Sequence, residues 1–209
     1  MVYRSAFWAR PAALRGGVCQ GAAGNERRHR VHIPNGPADS EDAHPVVLAG
    51  ESSTPDDERM TLTLRSPAFE SGTPIPARFD HERGDLSPAL IWDGVPEGAA
   101  GLVLLVDDPD APVEGSFVHW VLYNLDLARQ GVAEGEVPAE AMAGANGFGV
   151  PGYLGPAPPP GDDPHRYVFR LLAVDEPVSL KGLPSYQDVD MAVTGHTLGE
   201  ARLIGTYQR

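Results

Sequence analysis

The chain has 209 residues, 42% of them hydrophobic and 22% charged, with a formal net charge of −13. This composition fits one soluble globular domain carrying an appendage. It excludes nucleic acid as a partner, because phosphate-backbone binding needs clustered cations and Lys181 is the only lysine.

No apolar run reaches the roughly 18 residues that a membrane helix needs, so no integral membrane association is expected. The single Cys19 rules out a disulfide framework within the chain and allows a reducing compartment; a cytoplasmic location is expected.

Residues 1–59 show neither a helical nor an alternating apolar period. They hold an arginine-rich stretch, Arg27-Arg28-His29-Arg30, and an acidic tract, Asp56-Asp57-Glu58. Organelle targeting is compatible with the first, whereas no apolar core of a secretory signal follows Arg4. The abrupt change of pattern at Met60 favours a disordered extension or a mis-assigned start, with the domain spanning residues 60–209.

From there the reading is mostly strand. Thr61–Arg65 alternates and suits an edge strand. Residues 66–93 are rich in Pro, Gly and Asp and read as loop, with Leu90-Ile91-Trp92 a short strand. Gly101–Val106 is the central buried strand. Phe117–Leu125 is the next, with Trp120, Leu122 and Asn124 on one face. Tyr167–Val174, apolar on both faces, is interior.

Residues 126–164 form a long connection without a period of their own, which suggests that the connection has a job. Ser185 and Asp188 have capping-box spacing ahead of Val189, Ala192 and Val193. Gly195 and Gly199 are expected to allow close packing, and Leu203–Tyr207 is a last short strand. The whole predicts two packed sheets with few helices.

The polar chemistry sits at the ends of the long apolar runs. Asp108-Pro109-Asp110-Ala111-Pro112 follows the central strand, and its prolines stiffen the backbone that carries two carboxylates. His119-Trp120 opens the next strand. Gly155-Pro156-Ala157-Pro158-Pro159-Pro160-Gly161 forms a rigid wall ahead of His165-Arg166-Tyr167.

Each feature has a plain structural reading: an Asp-rich turn bonding its own backbone, buried histidines, a polyproline linker. Their common placement at strand ends points instead to a polar pocket. There a carboxylate would favour the charged form of a histidine, and charged rings would donate to an anion.

With Ser87-Pro88-Ala89-Leu90-Ile91-Trp92, Gly152–Pro156 and the closing Gly195-His196…Leu203–Tyr207, these motifs resemble the phosphatidylethanolamine-binding protein family. The nearest likeness is its bacterial, Raf-kinase-inhibitor-like branch.

The resemblance covers nearly all of residues 60–209. It implies a mainly β fold, a large central antiparallel sheet against a smaller one, with a few peripheral helices including one near the C-terminus. It implies non-catalytic binding of a small anion or a phosphate-bearing, phosphoethanolamine-like headgroup in a surface pocket, with a partner kinase or protease as a target of regulation.

The implied ligand-binding residues are Asp108, His119, Ala157, Pro158, Pro159, His165 and Tyr167, supported by Asp110 and Trp120. His119 and Tyr167 would donate to anion oxygens and His165 would be a second donor. Asp108 would orient a histidine or accept from an ammonium group. Ala157 stands where other members often carry Gly or Cys, which bears on headgroup choice.

No cofactor is implied, and the oligomeric state, a homodimer included, is left open. A hydrolase or a metal-dependent enzyme using the His/Asp pocket is the alternative. Against it, Ser116 lacks a nucleophile-elbow context and no H-x-x-x-H or C-x-x-C spacing is present. A third reading makes the 126–164 connection a protein-docking surface.

Overall fold

The computed structural model describes residues 61–209; the expectations for residues 1–59, and for Met60 as a start, lie outside them. Eight strands form two antiparallel sheets. β1 (Thr63–Arg65), β2 (Leu90–Asp93) and β5 (Gly131–Val132) make a small sheet in the order β1-β2-β5. β3 (Gly101–Asp108), β4 (Phe117–Leu125), β6 (Met142–Ala143), β7 (His165–Val174) and β8 (Thr197–Tyr207) make the large one. Its order is β6-β4-β3-β7-β8.

β3 is central and buried along its whole length. Its even-numbered residues Leu102, Leu104 and Val106 face the small sheet, packing with Leu64, Leu90, Trp92 and Val132. Its odd-numbered residues Val103 and Leu105 face the opposite way, toward Val178, Val189 and Val193. Two-sided burial explains the unbroken apolar run, since each such side chain contributes about 1.5–3 kcal/mol when removed from water.

Val189 and Val193 belong to the single α-helix of the described residues, α1 (Tyr186–Val193). Ser185 caps it: its hydroxyl accepts from the Asp188 amide while the Asp188 carboxylate accepts from the Ser185 amide. Two 3-10 turns, Ala77–Phe79 and His81–Arg83, interrupt the loop before β2. No helix among the described residues is long and apolar enough to cross a membrane.

Three local expectations need correction. Trp120 and Leu122 share the face toward the small sheet, but Asn124 does not. Its φ of +56° and a register shift reverse the alternation. Its amide therefore pairs with both backbone groups of Val178 on the helix side, at 2.8 and 2.9 Å. The last strand is not short but runs from Thr197, zipped to β7 over most of its length. Gly199 does pack closely, against Pro96, whereas Gly195 takes φ +87° with open space around it and serves the turn after α1.

Candidate functional site

The sheet order sets β4 and β7 on either side of β3, so the ends of all three strands meet at one rim. Asp108 ends β3, and His165 and Tyr167 open β7 on the face toward the small sheet. His119 reaches the same face by an irregularity. Trp120 pairs with Val106 and Val118 with Asp107, so His119 is an extra residue opposite no partner. Such a bulge re-aims a side chain that strict alternation would send to the other face. The His119 ring meets the Tyr167 ring edge-on, centroids 5.0 Å apart, and the Phe117 ring on its other side at 5.1 Å.

The four polar groups form two kinds of contact. His165 Nδ1 and Asp108 Oδ2 are 2.8 Å apart, and both side chains are buried. The other oxygen of Asp108 accepts from the Asp110 amide. Asp108 therefore orients His165 and not His119.

His119, 4% exposed, lies 2.8 Å through Nδ1 from the Leu154 carbonyl. A carbonyl only accepts, so Nδ1 carries the proton. Burial holds the ring's pKa down to about 4, against smaller upward pulls from that hydrogen bond and from Asp108 and Asp85. At neutral pH the ring is uncharged, and Nε2 is an acceptor. This corrects the expectation that His119 is a donor charged by a nearby carboxylate; burial outweighs the carboxylates.

Tyr167 is 1% exposed. Burial, with the Asp108 charge second, pushes its phenol upward and keeps it protonated. The hydroxyl is buried beside the Asp108 carboxylate and the Ala157 amide, yet makes no hydrogen bond of ordinary geometry.

The proline-rich segment packs against these groups, with the Leu154 carbonyl on the His119 ring and the Ala157 amide beside the Tyr167 hydroxyl. Ala157 and Pro158 are buried and Pro159 is half-buried. Buried prolines have no N–H to satisfy, which suits them to a wall. Leu154 pairs with His119 twice, through its carbonyl to the ring and through its amide to the His119 carbonyl at 2.9 Å.

Gly155 sits against the backbone of Phe79, Asp80 and His81, where a Cβ would lie 2.3–2.5 Å from main-chain atoms. Its amide donates to Asp85 Oδ1 at 2.7 Å, and the Pro156 carbonyl accepts from the His81 amide at 3.2 Å.

Not every expected residue joins the cluster. Trp120 turns into the core, packs edge-on against Tyr153 at 5.5 Å and keeps its indole N–H buried without a partner. Asp110 faces outward and accepts a two-pronged contact from the Arg166 guanidinium at 2.8 and 2.9 Å, plus the Arg166 amide. That contact ties the loop after β3 to the start of β7 and holds the Asp110 carboxyl below its usual range. An open concavity of about 700 Å3 adjoins the cluster, lined by Asp110 and residues 161–166; of the cluster only His165 borders it.

Sequence reasoning missed the segment facing the wall. Asp80 is buried, caps the second 3-10 turn through the Arg83 amide, and accepts from the Tyr207 hydroxyl at 2.7 Å and from the Arg83 guanidinium. His81 pairs with Asp85 at 2.9 Å. Phe117 and Phe148 were also unmarked. The available signal was an Asp three residues ahead of Arg83 with Gly84 closing the turn, a pattern common to many short turns.

Among the described residues, no group of three His, Cys, Asp or Glu side chains could hold a metal. The Ser116 hydroxyl bonds Asp107, whose carboxyl burial pushes upward, and not either site histidine.

Two antiparallel sheets whose strand ends gather a buried His, His, Asp and Tyr under a proline wall define the class of this protein. The chain belongs to the phosphatidylethanolamine-binding protein family, which it matches over residues 65–208. It is 42% identical to a UPF0098 protein of Methanothermobacter thermautotrophicus, over 71% of this chain and 99% of that protein. It is 35% identical to LppC of Mycobacterium tuberculosis, a candidate lipoprotein by name, over 92% of this chain and 89% of that one. A solved phosphatidylethanolamine-binding protein homolog, CT736 of Chlamydia trachomatis, superposes with a TM-score of 0.67 at 36% identity, covering 72% of this chain and 99% of that one.

Proposed function

We propose that this protein binds a small anion, or a phosphate-bearing headgroup such as phosphoethanolamine, without catalysis, at the cluster of Asp108, His119, His165 and Tyr167. One observation carries the reading: the Tyr167 hydroxyl is buried and protonated, and its contacts with the Asp108 carboxylate and the Ala157 amide fall short of ordinary hydrogen-bond geometry. Leaving such a group unsatisfied costs about 1–3 kcal/mol, which an arriving acceptor oxygen recovers.

The neighbouring His119 presents the complementary group, a neutral acceptor nitrogen. A donor and an acceptor side by side suit a monoprotonated phosphate. The phenol donates to a charged oxygen, and the P–OH donates to His119 Nε2. His165, held by Asp108, supplies the second imidazole edge. The stiff wall around Ala157 and Pro158 lowers the ordering cost of binding. The Ser116 hydroxyl bonds Asp107 rather than either site histidine, which supports binding rather than hydrolysis, and regulation of a partner kinase or protease would follow from ligand occupancy.

Calorimetric titration with inorganic phosphate and with phosphoethanolamine tests this. Tyr167→Phe should weaken both by about tenfold, the value of one hydrogen bond to a charged oxygen. The variant should lose little stability, because the hydroxyl it removes makes no hydrogen bond of ordinary geometry in the free protein. Equal affinities in the two proteins, or no binding to either, would remove the reading. We propose a cytoplasmic location for the protein; its recovery in the membrane fraction of its cells would count against that location.

A further inference from the structure

Phe148 keeps a large ring in water, 48% exposed, on a turn built to hold it there. Asn146, itself buried, accepts through Oδ1 from the Phe148 amide at 3.0 Å and the Val150 amide at 3.4 Å, and donates through Nδ2 to the Gly152 carbonyl at 3.1 Å. The Gly147 amide ties the turn to β4 through the Val118 carbonyl at 2.8 Å. Gly147 also lies flat on the Phe117 ring, where a Cβ would approach to 2.5 Å.

An exposed phenylalanine gains nothing from water, and this one is placed by a buried amide, a tether and a close backbone approach. From it a row of rings runs inward: Phe148 to Phe117 at 5.7 Å, Phe117 to His119 at 5.1 Å, His119 to Tyr167 at 5.0 Å, all edge-to-face. His81 flanks the outer end at 6.3 Å from Phe148.

We propose that the anion site takes a phosphate monoester whose ester group is apolar, with that group laid along Phe117 and Phe148 toward the surface. The inference rests on the anion-binding reading above and names the ligand class for the same site. The direction of exit follows from the sheet order. Phe117 belongs to β4, on one side of β3, whereas His165 belongs to β7 on the other. The β7 side opens onto the concavity lined by Asp162, Asp163 and the paired Asp110 and Arg166, with Asp162 Oδ2 3.9 Å from His165 Nε2. The excess of carboxylates there would draw a cationic tail, whereas an uncharged apolar group gains ring contacts on the Phe148 side.

The test is calorimetry on the full chain with three probes, inorganic phosphate, phenyl phosphate and phosphoethanolamine, in the parent, in Phe148→Ala and in the double variant Asp162→Asn/Asp163→Asn. Phenyl phosphate should bind the parent about fivefold more tightly than inorganic phosphate, the scale of one aromatic contact. Phe148→Ala should bring the ratio of the two affinities close to one, and the double variant should leave it in place. Equal affinities in the parent, or a ratio untouched by Phe148→Ala, would overturn the inference while leaving anion binding standing. So would phosphoethanolamine binding most tightly and losing that advantage in the double variant. Failure of all three probes to bind would remove the anion site itself, and this inference with it.

Discussion

His119 should make the protein acid-sensitive over a defined window. In the unfolded chain an imidazole takes up a proton below about pH 6.5; in the folded chain burial delays that uptake to about pH 4. Between those values the unfolded state binds more protons, so stability falls as pH falls. The loss begins near 6.5, grows down to about 4, and then levels off. A displacement of this size corresponds to about 3 kcal/mol at 1.36 kcal/mol per pH unit.

Carboxylates also titrate toward the lower end, so the comparison needs a reference that keeps the fold and lacks the imidazole. His119→Asn retains a donor to the Leu154 carbonyl. It loses packing against Tyr167 and Phe117 and should be less stable than the parent at pH 7.5. Urea unfolding of both proteins from pH 7.5 to 4 gives two stability curves. The parent's advantage should shrink by about 3 kcal/mol across the window. A difference that stays flat would refute the claim that the buried ring is neutral.

Two further outcomes follow from the geometry. Asp108→Asn removes the charge from a buried contact that orients His165 and should cost about 2 kcal/mol of stability, read as a lower urea midpoint, together with weaker phosphate binding; an unchanged midpoint would show that the contact contributes nothing. Gly155→Ala places a methyl group against the Phe79 and Asp80 backbone, so the wall or the facing turn must shift, and overpacking of this kind costs about 1–3 kcal/mol. Thermal unfolding checks the second, and a stability equal to the parent's would mean that the wall is not held against that segment.

The large sheet was legible because its strands carry their burial in their residues. The run from Leu102 to Val106 is apolar at every position, and the structure buries both faces of it. The capping box at Ser185 was legible because side chain and backbone meet within four residues. The gathering of Asp108, His119, His165 and Tyr167 was anticipated from strand ends and family motifs, but the pairing inside the cluster was not. Nothing in the order of residues says whether Asp108 turns toward β4 or β7. Sheet register decides it.

The bulge that swings His119 to the face of Tyr167 was likewise invisible, since it depends on how β4 pairs with β3 and not on β4 alone. The same applies to Asn124, whose left-handed backbone reverses the alternation. Charge on His119 was misjudged because proximity to carboxylates was weighed without the burial that opposes it. The turn that presents Phe148 left no trace beyond a Gly-rich stretch, because its order comes from one buried Asn146 bonding to residues two, four and six positions ahead.

In the proposed site a donor phenol and an acceptor imidazole take the same anion. A crystal soaked in phosphate at pH 6 tests it most directly. The anion should lie within hydrogen-bond distance of both the Tyr167 hydroxyl and His119 Nε2, against the wall at Ala157 and Pro158. An anion bound instead to Arg166 at the outer concavity, with the Tyr167 hydroxyl still unpaired, would contradict it.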